Sequence, residues 1–280
     1  MKVLITGANG MVARAAAEYC RSIGDEVFAL TRNELNIADM VSVQTAFDRY
    51  EPEIVLNCAA FTDVDGSESN AESAFAANAA GPENLAVACR EHSAKLVTIS
   101  TDYVFDGMKG EPYSADDSPN AKGIYAESKV DGECRVNAAN SDAIIVRSGW
   151  IFGHGGTNFL SVMHRLLGDG KSIKVISDSY GTPTFAGDLA RRMRELASTN
   201  ANGFIHVTNS GQGTSYYGFA EKVCEIGGFD TQLLTGVLDS DLKRPAPRPQ
   251  DSRLEPSDLT AFDLAALPNW HDALRNYVNG

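Results

Sequence analysis

The chain has 280 residues, enough for one large domain or two small ones. Apolar residues at 43% and charged residues at 22% are ordinary for a folded protein, and a formal net charge of −13 argues against nucleic acid or an anionic membrane as the main partner. The five scattered cysteines form no CxxC pair, which predicts free thiols in a reducing compartment. With no leader-like or membrane-spanning apolar run, the expected location is the cytoplasm.

Residues 2–6 read as a short buried strand, followed by a Gly-rich turn and an Ala-rich helix through about Arg21. Further strands are expected at 26–30, 54–60, 95–100 and 143–147, with a helical stretch from Ala71 to His92 among the segments between them. Strand alternating with helix predicts an α/β fold, a Rossmann-type doubly wound parallel sheet with helices on both faces. The continuously apolar strands agree with a sheet covered on both sides. After Trp150 the pattern loosens. Gly153, Gly155 and Gly156 mark a loop, a helix is expected near 158–167, a strand near 173–177, and a helix at 182–197 returning to the main sheet. Four prolines between Lys243 and Pro256 argue against regular structure there. The expected organisation is a NAD(P)-binding domain over 1–150, rejoined by 181–204, and a smaller, mainly substrate-binding domain over 151–280.

Gly7-Ala8-Asn9-Gly10-Met11-Val12-Ala13 lies between a strand and a helix, the context that a dinucleotide-binding turn requires. Gly7 allows the tight turn, and Gly10 lets the backbone approach a pyrophosphate at the helix N-terminus. Met11 and Val12 open the helix and are expected to line the cofactor. The second strand ends at Leu30-Thr31-Arg32, without the acidic residue that grips a free ribose 2′-hydroxyl. Arg32 can pair with a 2′-phosphate and Thr31 can hydrogen-bond it, which favours NADP, with NADH as the alternative. Asp39 and Met40 are placed to approach the adenine, and a helix-capping role explains Asp39 equally well.

Tyr125 and Lys129 are four residues apart and share one face if the segment is helical. A nearby ammonium lowers a tyrosine pKa. Lys129 is expected to act on Tyr125 in this way while holding the nicotinamide ribose, and Tyr125 to give a proton to a carbonyl oxygen as hydride arrives at carbon. Thr101, at a strand end, is expected to hydrogen-bond that oxygen. Together with the Gly-rich turn, this trio describes a nicotinamide-dependent carbonyl reductase.

These residues sit in longer strings: Asn57-Cys58-Ala59-Ala60-Phe61-Thr62-Asp63-Val64-Asp65, Ser100-Thr101-Asp102-Tyr103-Val104-Phe105-Asp106-Gly107, Tyr125-Ala126-Glu127-Ser128-Lys129, Arg147-Ser148-Gly149-Trp150, Gly181-Thr182-Pro183-Thr184 and Arg248-Pro249-Gln250-Asp251-Ser252-Arg253-Leu254. Through them nearly the whole chain resembles the extended short-chain dehydrogenase/reductase superfamily and, within it, the dTDP-4-dehydrorhamnose reductases. The resemblance implies NADPH- or NADH-dependent reduction of the C4 ketone of dTDP-4-dehydro-L-rhamnose to dTDP-L-rhamnose, a step toward cell-wall polysaccharide. Carried over by position, Thr101, Tyr125 and Lys129 are catalytic. Ala60, Phe61 and Thr62 line the cofactor, Asp102 and Trp150 contact the sugar, and Arg248 belongs to a loop beside the nucleotide diphosphate.

The chain departs from the family at several places. Leu35-Asn36-Ile37-Ala38-Asp39 replaces the usual Leu-Asp-Ile-Thr-Asp, Ala126 replaces a common Gly, and Gly149 stands where Ser is common. Some members dimerise through magnesium held by a glutamate on the first helix. Arg14-Ala15-Ala16-Ala17 offers no such carboxylate, so no structural metal and a monomer or weak homodimer are expected. Three alternatives remain open: a reductase of a related nucleotide sugar; a dehydratase or epimerase, for which Asp102 is a single acidic candidate; and a non-catalytic NADP-binding regulatory subunit like the beta subunit of methionine adenosyltransferase.

Overall fold

The structure is a computed structural model and describes residues 1–279. Its centre is a parallel sheet of β1 (Lys2–Thr6), β2 (Glu26–Leu30), β3 (Ile54–Asn57), β4 (Lys95–Thr101), β5 (Ile144–Ser148) and a later strand, Gly203–His206. The order across the sheet is β2-β1-β3-β4-β5 and then 203–206. From β1 the chain first winds outward to β2 and then crosses back to β3. The strand order therefore reverses between β1 and β3, where ligands of open α/β sheets bind, outside the carboxyl ends. The first half has only two strands. Residues 31–39 follow β2 as turns, with Leu35 and Ile37 buried, instead of forming a third.

Side chains alternate across each strand, so both faces need cover. Val3 and Ile5 pack beneath α1 (Met11–Ser22), whose Ala13, Ala16, Ala17 and Cys20 form a buried stripe at helical spacing. These small side chains let α1 lie close to the sheet and against the later helix Ala186–Leu196. Leu4, Val55, Leu96 and Ile145 face the opposite side, under α2 (Met40–Tyr50), α5 (Gly81–Glu91) and α6 (Ile124–Ala139). Short helices α3 (Val64–Ser67) and α4 (Ala71–Phe75) precede α5.

The expected helix over 71–92 is interrupted. Residues Ala76–Ala80 form a π turn between α4 and α5, and Pro82 sits in the first turn of α5. A proline there lacks an N–H that the helix start leaves unpaired anyway. The expected helix over 182–197 is also shorter, because Thr184–Phe185 pairs as a strand with Ile151–Phe152 before α8 (Ala186–Leu196) begins. The Lys243–Pro256 segment has no regular element, as its prolines predict, and touches strand-like partners only at Tyr113 and Tyr180.

Beyond β5, a separate apolar cluster joins α7 (Phe159–Gly168), α9 (Tyr216–Gly227) and α10 (Trp270–Asn279) around Phe152, Met163, Phe219, Leu274 and Tyr277. This cluster stands at the carboxyl end of β5 and walls one side of the cleft. All five cysteines are free. Among the described residues no helix is long and apolar enough to cross a membrane, and no group of three or more His, Cys, Asp or Glu could hold a metal ion.

Candidate active site

A cleft of about 790 Å³ runs along the carboxyl ends of β1, β3, β4 and β5. Such a volume suits a small-molecule ligand. Its floor is tied together by buried side chains. The Thr6 hydroxyl donates to Asn57 at 2.6 Å, Asn57 donates to Thr98 at 2.8 Å, and the Ala59 N–H returns to Thr6 at 3.1 Å. Three strand ends are thereby fixed in register beneath the site.

At one end lies the Gly-rich turn. Gly7 has φ +69°, and a Cβ there would stand 2.9 Å from the Ala59 backbone. Only glycine satisfies both the left-handed backbone and that approach. Gly10 caps α1 without any side-chain hydrogen bond, and the first turn of the helix carries no acid. Its N–H groups and positive dipole end are left for an anion. Gly10, Met11, Val12, Ala60 and Thr62 line the cleft. Arg14, not singled out from the sequence, also reaches it and donates to the Gly155 carbonyl at 2.8 Å, tying the glycine loop to α1.

The three residues expected to be catalytic come together at the other wall. Thr101 ends β4, while Tyr125 and Lys129 lie one turn apart on α6, and all three line the cleft. The expected pairing of Lys129 with Tyr125 is corrected. Lys129 Nζ donates to the Ile99 carbonyl at 2.7 Å, and burial lowers its pKa to about 8. Burial raises Tyr125 to about 12, against a smaller lowering by the Thr101 hydroxyl. Burial dominates and Lys129 does not act on the phenol, so Tyr125 holds its proton at neutral pH. A protonated phenol is the form that reduction of a carbonyl consumes.

Helix α6 is fixed by contacts the sequence pattern did not reveal. Asn78, buried on the π turn, accepts the Phe61 N–H at 2.8 Å and donates to the Phe61 carbonyl and to Ser128, the neighbour of Lys129. Gly132 lets α6 touch that turn backbone to backbone, because a Cβ would fall 2.0 Å from the Asn78 carbonyl oxygen. One turn further, Glu133 accepts two hydrogen bonds from Arg147 of β5, at 3.0 and 2.7 Å, in a pair only 2% exposed. Arg147 is also held between the rings of Phe105 and Phe204.

The residues expected to contact the sugar are well defined. Asp102 is buried, accepts from Thr101 and Ser252, and has a pKa raised to about 6 by burial, against those hydrogen bonds. Trp150 adopts φ +50° and stacks on Tyr216 with ring centres 3.8 Å apart. Gly181 makes room for it, since a Cβ there would meet the indole at 2.0 Å.

Other expected contacts lie off the cleft wall. Thr31 gives both its N–H and its hydroxyl to Glu34, each at 2.8 Å, in a local turn at the place where a 2′-phosphate bond was expected. These bonds hold the Glu34 carboxyl below its ordinary pKa. An acid thus does reach the end of β2, from two residues beyond the stretch where one is normally sought. Arg32 is exposed beside it. Asp39 caps α2 through the Val41 N–H at 3.0 Å, and Met40 is exposed. Phe61 faces Asn78 through its backbone. Arg248 forks onto Asp65 at 2.7 and 2.9 Å and pins the Pro-rich segment to α3, rather than projecting into the cleft.

The fold and the cleft define a Rossmann-type α/β protein with a ligand-sized cleft across its strand ends, beside a Thr/Tyr/Lys trio. Comparison with known proteins narrows the class. The chain belongs to the family described as RmlD substrate binding domain, whose model matches residues 1–280. It is 39% identical to dTDP-4-dehydrorhamnose reductase of Streptomyces griseus, over 97% of this chain and 91% of that protein. It is 38% identical to the spore coat polysaccharide biosynthesis protein SpsK of Bacillus subtilis, over 99% of this chain and 96% of that one. Among solved structures, dTDP-4-dehydrorhamnose reductase of Bacillus anthracis in complex with NADP superposes with a TM-score of 0.93 at 33% identity, covering 99% of both chains.

Proposed function

We propose that this chain reduces the C4 ketone of dTDP-4-dehydro-L-rhamnose to dTDP-L-rhamnose, with NADPH as hydride donor. The observation that carries the proposal is the convergence of Thr101, Tyr125 and Lys129 on one cleft with the uncapped Gly10 turn. Relatives of that name, and a neighbour of like fold bound to NADP, support it. Residues 1–150, with 181–204, would hold the cofactor, and 151–280 would mainly form the sugar side.

The nicotinamide supplies hydride to the carbonyl carbon when bound. Gly7, Gly10, Met11, Val12, Ala60, Phe61 and Thr62 would form its cradle, with Thr31, Arg32, Asp39 and Met40 toward the adenosine. Lys129 and Tyr125 would hold the ribose. The Tyr125 hydroxyl delivers a proton to the carbonyl oxygen, and Thr101 orients that oxygen. Asp102 and Trp150 contact the sugar. Arg248 acts by fixing the segment beside the diphosphate. The partner is a nucleotide sugar, the setting cytoplasmic, and the state a monomer or weak homodimer.

The test is NADPH consumption with enzymatically generated dTDP-4-dehydro-L-rhamnose, NADH in parallel, and identification of the product. Formation of dTDP-L-rhamnose is expected. NADPH binding without turnover would overturn the reading in favour of a regulatory subunit, and turnover only with another 4-keto sugar would move it to a related reductase.

A further inference from the structure

A ketone undergoing reduction needs hydrogen-bond donors at its oxygen, and the Thr101 hydroxyl has one proton to give. In the structure that proton goes to Asp102 Oδ1 at 3.1 Å. The same hydroxyl oxygen accepts the Tyr103 N–H at 3.2 Å. While Asp102 is a carboxylate, Thr101 can therefore only accept from the cleft.

The Asp102 carboxyl is held in place from three directions. Its Oδ2 accepts the Ser252 hydroxyl, and the other acceptor near Ser252, the Tyr180 carbonyl, is a longer 3.4 Å away. Beneath it, Gly149 provides the seat, because a Cβ at 149 would fall 2.3 Å from Asp102 Cγ. With Oδ2 already satisfied, a proton arriving on the carboxyl settles on Oδ1, facing Thr101. The hydrogen bond then reverses. The acid donates to Thr101 Oγ1, and the hydroxyl proton of Thr101 turns to the cleft.

We propose that Asp102 is a positioning residue that sets the direction of the Thr101 hydroxyl, so that ketone reduction runs through its protonated form. This inference rests on the ketoreductase reading. The groups facing Asp102 are Tyr103 on its own segment, Tyr125 on α6, Tyr216 on α9 and Ser252 on the Pro-rich segment, with Arg244 and Arg248 acting on the Tyr103–Tyr216 pair behind it. Burial, the largest influence, raises Asp102 to about 6. The acid form is thus present below that value and lost above it, and reduction weakens as pH rises through it.

The experiment is kcat for reduction, at saturating NADPH and dTDP-4-dehydro-L-rhamnose, from about pH 5 to about pH 8. The wild-type protein, Asp102→Asn and Ser252→Ala are compared. Wild type should fall by about a hundredfold over this range, the lower end of the scale of losing one donor to the oxyanion. In Asp102→Asn the amide oxygen accepts from Ser252 and the amide nitrogen donates to Thr101, fixing the reversed bond, so this fall should vanish. Ser252→Ala removes a bond to the anion and should move the midpoint upward. A limb near the Lys129 pKa of about 8 is separate and should persist in both variants. A flat wild-type profile or an unchanged fall in Asp102→Asn would each overturn the inference; the overall level of kcat in that variant decides nothing, because Asp102 also meets the sugar. If Asp102→Asn fails to fold, an unmoved midpoint in Ser252→Ala overturns it instead. Absence of wild-type turnover at all pH values, with NADPH bound, would instead sink the ketoreductase reading on which it stands.

Discussion

At the end of β4, Thr101, Asp102, Ser128 and Lys129 are buried, and their partners include Asn78, Ile99 and Ser252 from distant parts of the chain. At the end of β2, Arg32, Glu34, Asp39 and Met40 are exposed, and the hydrogen bonds of Thr31, Glu34 and Asp39 go to residues two or three positions away. The first region is organised before any ligand arrives. The second has side chains free to move in water. Preorganisation at the reacting centre lowers the cost of charge development. Recognition of a solvent-facing phosphate tolerates looser geometry, at the expense of discrimination.

The largest effect should follow from removing the proton donor. Tyr125→Phe should lower kcat by about a thousandfold while NADPH affinity, read by fluorescence titration, changes little. A loss below tenfold would mean that the buried end does not hold the donor. Next is the support of α6. Glu133→Gln leaves Arg147 buried without its counter-charge and should cost about 3–5 kcal/mol of unfolding free energy in urea titration. A cost near zero would show that α6 is fixed by its apolar contacts alone.

The exposed end should respond more weakly. Arg32→Asp should raise the KM for NADPH about tenfold and leave that for NADH nearly unchanged, the scale of one charge-assisted contact. Equal changes in both would remove the 2′-phosphate contact. Glu34→Gln should shift the same ratio toward NADPH, by a smaller factor, because it deletes a like charge beside the phosphate position. The smallest effect belongs to Asp39→Ala, which should cost about 1 kcal/mol as a lost helix cap. If the KM for NADPH rises as well, Asp39 also contacts the adenosine, and the contrast between the two ends narrows.

The parallel sheet was legible because apolar strands and helical stretches alternate along the chain, a local signal. The Gly7 turn and the Tyr125–Lys129 spacing were legible for the same reason. Asn78 was not, because nothing in an Ala-rich helix announces that its register slips by one residue into a π turn there. The Thr31–Glu34 turn was not legible, because a side-chain rotamer decides which of two neighbours a hydroxyl serves. The expected effect of Lys129 on Tyr125 was not legible, because Lys129 Nζ turns to the Ile99 carbonyl and burial, set by distant packing, is the largest influence on both groups. Gly149 was visible as a departure, and only the fold shows that its missing side chain is occupied by Asp102.

The bond from Ser252 to Asp102 spans 150 residues. During synthesis, the sheet through β5 can fold long before that serine leaves the ribosome. Chemical competence therefore arrives last. A nascent chain would first acquire the strands of its central sheet through β5, with Asp102 still lacking its Ser252 bond, and only the final stretch would close the site around it. Termination between the strand Gly203–His206 and the Pro-rich segment would leave the central sheet complete but Asp102 without its Ser252 bond.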